Sequence, residues 1–569
     1  MSKQVFISSV LLIFAFITAR SLPNISNMYI ADFKITKNNK NVHEFNSTYY
    51  VSSSIGDDKN NGQSIKTAWK SLSRVNDAKL NAGDKILFRS SDIFEGSLIL
   101  KNIKGTEKEP VMVSSFQVKD KKRAIIDAKN HPNGIKLINC NHVSLQNLII
   151  KANPDKNKNE GTLNSKMRCG VLVMISKPGS YSGIKLENLL IKDIYYESYG
   201  YNRGDEEVKS PNGTQNYGWG IRFINRTKNA ILSDVLVQNC EVKNVAHTGL
   251  KFTGNKHNIN NIKVIDNILK ETGGPGIQMS GVKNSHIKNN SVNYSGSNND
   301  SRKWGRGSGL WTWGCSDILI EHNSFQNANG PGDSAGCHID FNCKNVVVQY
   351  NYSANNAGGF CEILGNNYNC AYRYNISVND GYRTKGQNGA FQDGKTLWLS
   401  GYVGKNKERK GPFNTYIYNN TIYVNKDITS KMALAKTAKG ILIVNNIFYI
   451  EGKSKSVKGD QYNPEKDGIF KIKNSFFKNN LLLKTSNWPK EVIIQKGDQM
   501  VGDPLFKNKK GNNIADFTPT NSELIKNKGI EINKLPEDSL GLKRDLKVTF
   551  DILGNKIIDK PDLGAIELH

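Results

Sequence analysis

The chain has 569 residues with 78 Lys+Arg against 51 Asp+Glu, a formal charge of +27 spread along its length. Such a field attracts polyanions, yet there is no zinc-finger spacing or RNP-type motif to point to nucleic acid. No Gly-rich phosphate loop, G-x-S-x-G elbow or H-E-x-x-H pair occurs, so nucleotide, serine-esterase and zincin chemistry have no sequence support.

Lys3, an apolar run over residues 5–19, and then Arg20 and Ser21 read as a signal peptide over residues 1–21. The run is too short to cross a bilayer, and no second run approaches about 20 apolar residues. The expectation is a secreted or periplasmic protein, cleaved near residue 21, with no membrane partner. Exported polyanions are chiefly polysaccharides, which makes an acidic polysaccharide the expected partner. Residues 22–46 read as a polar lead-in and 47–569 as one domain with its closing segment.

From residue 47 onward, short β-branched runs recur, each ending near an asparagine: Asn147, Asn188, Asn239, Asn267, Asn290, Asn323, Asn351, Asn375, Asn420, Asn446 and Asn480. Steps of 28, 23, 28 and 24 residues separate Asn239 from Asn267, Asn267 from Asn290, Asn323 from Asn351 and Asn351 from Asn375. Short strands and polar turns at this period, without helical periodicity, predict an all-β fold, a single-stranded right-handed parallel β-helix with inserted loops. The asparagines are expected to bond one another in a ladder. The regular leucine frame of leucine-rich repeats is absent. Insertions at 199–217 and 295–307 are expected on one rim, where they can wall a groove. Of the eight cysteines, Cys140, Cys240, Cys337 and Cys343 lie in or beside apolar runs and read as small buried thiols rather than disulfides or zinc ligands.

The opening stretch YYVSSSIGDDKNNGQSIKTAWKSL from Tyr49, with NAGDKILFRSSDIFEGSLIL and TEKEPVMVSSF after it, resembles the start of bacterial carbohydrate-active β-helix proteins of the pectate-lyase-like superfamily. GDPLF from Gly502 and PDLGAIE from Pro561 resemble their closing segment. The resemblance implies the fold and a carbohydrate substrate. It does not fix the reaction, since the group holds glycoside hydrolases, polysaccharide lyases and epimerases.

A second frame runs through YGWGIRFIN, HTGLKFTG, GPGIQMSG, GSGLWTWG, AGCHIDF and GGFCEIL. With the residues one and three places after the small residue facing inward, the alternate positions form two outward columns. If Gly358 aligns with Gly336, one column holds Arg222, Lys251, Gln278, Trp311, His338 and Phe360. The other holds Ile224, Thr253, Ser280, Trp313, Asp340 and Glu362. Asp340 and Glu362 then stack about 5 Å apart, close enough for one to keep a proton and serve as acid while the other serves as base or nucleophile. His338 would tune them. Arg222 and Lys251 are candidate anion binders, Gln278 lines the same column, and His247 precedes the Lys251 strand. Trp311 and Trp313 are candidates for stacking on sugar rings. Asp333 and Asp380 are reserve acids in turns, where aspartates also cap backbone amides.

These residues point to a glycoside hydrolase acting within the chain of an anionic, sulfated fucan-like polysaccharide, and they require no cofactor or metal. A polysaccharide lyase is the alternative, with Lys251 or His338 as base and Ca2+ or a cation neutralising a uronate carboxylate. A non-catalytic polysaccharide-binding β-helix is the third.

Overall fold

The computed structural model describes residues 46–116, 122–154, 167–195, 218–296, 306–457, 473–489 and 499–569. The expected signal peptide and lead-in, and most of the two insertions, lie outside the described residues. A typical coil contributes one strand to each of three parallel sheets, which among the described residues have 15, 12 and 14 strands. This is the right-handed parallel β-helix read from the repeat. Strands such as Ala230–Gln238 alternate buried and solvent-facing residues, with Leu232, Val235 and Val237 inward, so burial of one face sets the register.

The turn between the 15- and 14-stranded sheets explains the asparagines. One residue per coil there adopts a left-handed backbone: Asn147, Asn188 and Asn239, then Asp266, Asn289, His322, Tyr350, Tyr374, Asn419, Asn445 and Asn479. Asparagine tolerates that conformation better than most residues. The next residue points inward, and from Asn267 to Asn480 that residue is always an asparagine. Asn323 donates through Nδ2 to the Ile287 and Glu321 carbonyls (3.0 and 2.9 Å) and to Asn351 Oδ1 (3.0 Å), which also accepts the Asn323 N–H at 2.9 Å. The ladder satisfies buried polar groups that would otherwise be costly. It begins later than the sequence suggested. Asn147, Asn188 and Asn239 are the left-handed residues of their coils, and Cys240 occupies the ladder position ahead of Asn267.

All eight cysteines are buried and unbridged. At the amino-terminal side, the short helix Leu72–Asn76, capped by Ser71 on the Arg74 N–H, turns Leu72 and Val75 into the core. The last 65 or so residues run back along the outside of the coils rather than adding to them. Tyr350 and Tyr418 donate to the Phe550 and Leu546 carbonyls (2.8 and 2.6 Å), Asn419 to that of Asp562, and Asn369 to the Asp538 carboxylate. A second apolar cluster, with Phe517, Ile525, Leu535 and Leu563, joins this segment to the outer faces of Tyr374 and Tyr418.

Candidate active site

The outward face of the 12-stranded sheet carries the chemistry. Its strands Gly218–Asn225, Leu250–Thr253, Ile277–Ser280, Leu310–Trp313, Cys337–Ile339, Gly359–Ile363 and Lys395–Leu399 lie side by side. Ile221, Phe252, Met279, Cys337 and Leu397 face the core. Arg222, Lys251, Gln278, Trp311 and His338 pair in sequence across the strands, as expected.

The column then departs from the expected register. Ile339 pairs with Ile363, and Ala335 bridges Gly359, so Glu362 follows His338 and Leu364 follows Asp340. Asp340 and Glu362 therefore sit diagonally, not in one column. The cause is local: Phe360, not Gly358, matches Gly336, and its ring turns into the core against Tyr372, at 5.6 Å between centroids. Gly358 ends the turn and Gly359 opens the strand, positions where a Cβ would meet the Asp333 and Lys395 carbonyls respectively. Trp398 continues the column beside Glu362.

These residues surround a cavity of about 440 Å³. Lys251, Gln278, Trp311, Trp313, Asp333, His338, Asp340 and Glu362, all singled out from the sequence, line it together. Three others do not. The Arg222 guanidinium is buried over the Trp219 ring, 4.3 Å from its centroid, and beside Met167. His247 packs on the other part of that cluster, 5.1 Å from the Trp219 ring, and bonds Thr248. Asp380 accepts from Ser353, Ser377 and Asn356 inside the coil, the capping role its turn suggested, and burial raises its pKa to about 7. The cavity also includes Arg226, Arg306, Phe341, Gln392, Trp398, Tyr402 and Lys405, which sequence reasoning missed. Trp398 alone lay within reach, one coil beyond the frame that was read.

Among the described residues, three carboxyl groups share this cavity in different environments. Asp333, held in a left-handed turn, pairs with Arg306 at 3.4 Å between Oδ2 and Nη1. Asp340 is buried, and burial, reinforced by the Asp333 charge, raises its pKa to about 7 although Oδ1 accepts the Phe341 N–H at 2.8 Å and Arg306 pulls the other way. Glu362 is pushed well above the usual carboxylate range by burial and by the Asp333 and Asp340 charges, against Lys395 and Arg383. His338 is buried and its pKa falls to about 4, which leaves it neutral at pH 7. Its Nδ1 lies 3.1 Å from Ser308 Oγ and 4.0 Å from Glu362 Oε2. That approach joins two neutral groups rather than an ion pair.

Aromatic rings frame the acids. Trp311 meets His338 edge-on at 5.4 Å, and Trp313, 42% exposed, meets Phe341, which in turn meets Tyr402. Among the described residues, no group of three His, Cys, Asp or Glu is placed to hold a metal ion.

No family model matches the chain. Over 622 aligned positions it is 24% identical to a lacto-N-biosidase of Bifidobacterium longum subsp. longum, matching 91% of this chain and 36% of that protein. The chain thus spans about a third of the length of that relative. The crystal structures of a GH136 lacto-N-biosidase from Eubacterium ramulus match at TM-scores of 0.51 and 0.50 and 20% identity. They cover 73% and 67% of this chain, and 67% and 64% of theirs. These matches bear out the resemblance to carbohydrate-active β-helix proteins drawn from the opening and closing segments.

Proposed function

We propose that this protein is a glycoside hydrolase. The observation that carries the reading is Asp340, a buried acid near half-protonation at neutral pH, in one cleft with the Arg306-paired carboxylate of Asp333. A protonated acid beside a second carboxyl group held by a cation supplies an acid and a base or nucleophile in one cleft. Asp340 gives its proton to the glycosidic oxygen as the bond to the anomeric carbon breaks. Asp333 either attacks that carbon or takes a proton from the water that does, and the net reaction consumes one water per bond. Glu362, held protonated by burial, donates a hydrogen bond to a sugar oxygen. It is the alternative base, as the sequence first suggested. The likeness to lacto-N-biosidases supports hydrolysis of an oligosaccharide.

The finer reading is cleavage within an anionic, sulfated fucan-like chain outside the cytoplasm, with no cofactor. It is supported by the +27 charge and the apolar run over residues 5–19, and by Arg226, Lys251, Arg306 and Lys405 around the cleft. The test incubates the purified protein with neutral and sulfated oligosaccharides, fucan and uronate polymers, following reducing ends and ultraviolet absorbance together. Reducing ends without absorbance are expected. Both signals together would replace the reading with a lyase built around Lys251 and His338. Binding without either signal would leave a non-catalytic polysaccharide-binding protein.

A further inference from the structure

The described lining of the cleft differs in charge from one end to the other. On three successive strands, Lys251, Gln278 and Trp311 pair in one column and Thr253, Ser280 and Trp313 in the other. At about 4.8 Å per strand these six positions cover a patch about 10 Å long. Arg226, just beyond the preceding strand and exposed, joins them on the cavity wall. None of these seven residues is acidic. Among the described residues, the carboxyl groups of the cavity, Asp333, Asp340 and Glu362, come from later coils.

Two buried polar atoms in this half are left for a ligand to satisfy, one of them a donor only. Trp311 is 8% exposed, and its Nε1–H, which can only donate, has no acceptor among the described residues; the Thr253 hydroxyl is likewise buried without a partner among them. A buried donor without an acceptor is costly. Sugar hydroxyls accept, but each brings a proton that needs its own acceptor, and among the described residues this half has no carboxylate to take it. Oxygens that only accept and carry negative charge suit it better, because they satisfy the indole N–H and hydroxyl and meet the Arg226 and Lys251 cations. The exposed Trp313 ring beside them offers a stacking face for the sugar that carries the anion.

We infer that the Lys251–Trp313 half of the cleft is an anion subsite for a sulfate ester or a carboxylate on a sugar beside the cleaved bond. Its place beside that bond rests on the hydrolase reading, whereas anion binding does not. The test measures binding by calorimetry to full-length Asp340→Asn protein, with a sulfated fucan oligosaccharide, its desulfated counterpart and an oligouronate. At least one anionic ligand is expected to bind about tenfold or more tightly than the desulfated sugar, and the arm that gains names sulfate or carboxylate. That preference should fall towards unity in Arg226→Ala/Lys251→Gln and survive in Lys59→Gln/Lys66→Gln, which removes two exposed charges elsewhere. Trp313→Ala should weaken all three ligands and leave the preference unchanged.

Equal binding of all three sugars, or a preference that survives loss of Arg226 and Lys251, overturns the subsite. Reducing ends from wild-type protein report separately on hydrolysis. Anion preference without them sinks the hydrolase and keeps the subsite, and equal cleavage and binding of sulfated and desulfated sugar does the reverse.

Discussion

Arg306 Nη1 stands 3.4 Å from Asp333 Oδ2, and both residues are largely buried in the wall of the cleft. The pair sets two opposing influences on Asp340. The Asp333 charge favours the protonated form of Asp340, and Arg306 favours the ionised one. In Arg306→Gln the second influence is gone, so the Asp340 pKa moves up from about 7 and the alkaline limb of kcat/KM moves to higher pH. The rate at neutral pH should fall about 10- to 100-fold, because Asp333 loses the cation that orients its carboxylate. A pH–rate profile measures both, and an unmoved alkaline limb would remove Asp340 as the acid.

Asp340→Asn keeps the shape of the side chain and removes its proton. Loss of a general acid typically costs about 10²- to 10⁴-fold in rate, and the cost should depend on the leaving group. An aryl glycoside whose phenolate departs unaided should be cleaved by Asp340→Asn much more nearly at the wild-type rate than an oligosaccharide. Asp333→Asn should be slow on both. Equal losses on both substrates in Asp340→Asn would assign it another role.

Much of this site was legible because a β-helix turns sequence spacing into spatial stacking. Inward and outward residues alternate, so Trp311, Trp313, His338, Asp340 and Glu362 could be assigned to the outward face from apolar neighbours alone. The register beyond His338 failed because glycine was used as the marker. Glycine at the corner is a steric consequence of close approach by side chains such as Leu269 against Gly249, and Phe360 meets the same corner by turning inward. The asparagine ladder is the better ruler, since Asn351 and Asn375 bond directly across 24 residues, the step that carries His338 to Glu362. Arg222 and His247 were misplaced for another reason. The Arg222 column was correct, but Trp219 on the same strand and Met167 of the preceding coil cover its guanidinium, and Trp219 also packs on His247 of the next coil, contacts that a repeat pattern does not report. Arg306, Gln392 and Tyr402 reach the cleft from turns, where no periodicity applies.

The raised pKa of Asp340 also bears on stability. The folded protein holds this proton up to about pH 7, whereas the unfolded chain releases it near its ordinary value of 3.8. Between those values the folded state binds more protons, so this group's contribution falls as pH rises through that window and stays lost above it. Asp340→Asn removes the penalty. It should raise the melting temperature at pH 8, by an amount corresponding to a few kcal/mol at most, and change it little at pH 4. Inactivation accompanied by stabilisation, read by thermal unfolding at both pH values, is the expected signature of a functional buried carboxyl.

The ladder makes a prediction of opposite character. Asn351 accepts from the Asn323 backbone and side chain and donates to the Ile320 and Gln349 carbonyls and to Asn375. Asn351→Ala leaves several of these buried groups unsatisfied and should cost about 3 kcal/mol or more. Asn355, exposed at a left-handed position four residues on, is the control, because glycine there keeps the conformation and Asn355→Gly should cost little. Urea unfolding of the two variants gives the comparison.

Lys395 separates Asp333 from Glu362 as the base. Its Nζ lies over the Trp398 ring, 3.8 Å from the centroid, and donates to the Asp393 carbonyl at 3.0 Å. Burial lowers its pKa to about 8, with Glu362 and Asp393 opposing that shift. Its charge in turn is the strongest influence holding the Glu362 pKa down. Lys395→Met fills similar space without charge, so Glu362 becomes harder still to ionise and Trp398 loses the cation that fixes its ring. If Asp333 is the base and Glu362 a neutral donor, kcat should stay within about threefold of wild type while KM rises as the Trp398 wall loosens. If Glu362 must ionise to act, kcat should collapse towards that of Glu362→Gln and recover only as the pH is raised. The first outcome is expected, because a carboxyl group buried beside two other acids is poorly placed to carry the negative charge that Asp333 already holds against Arg306.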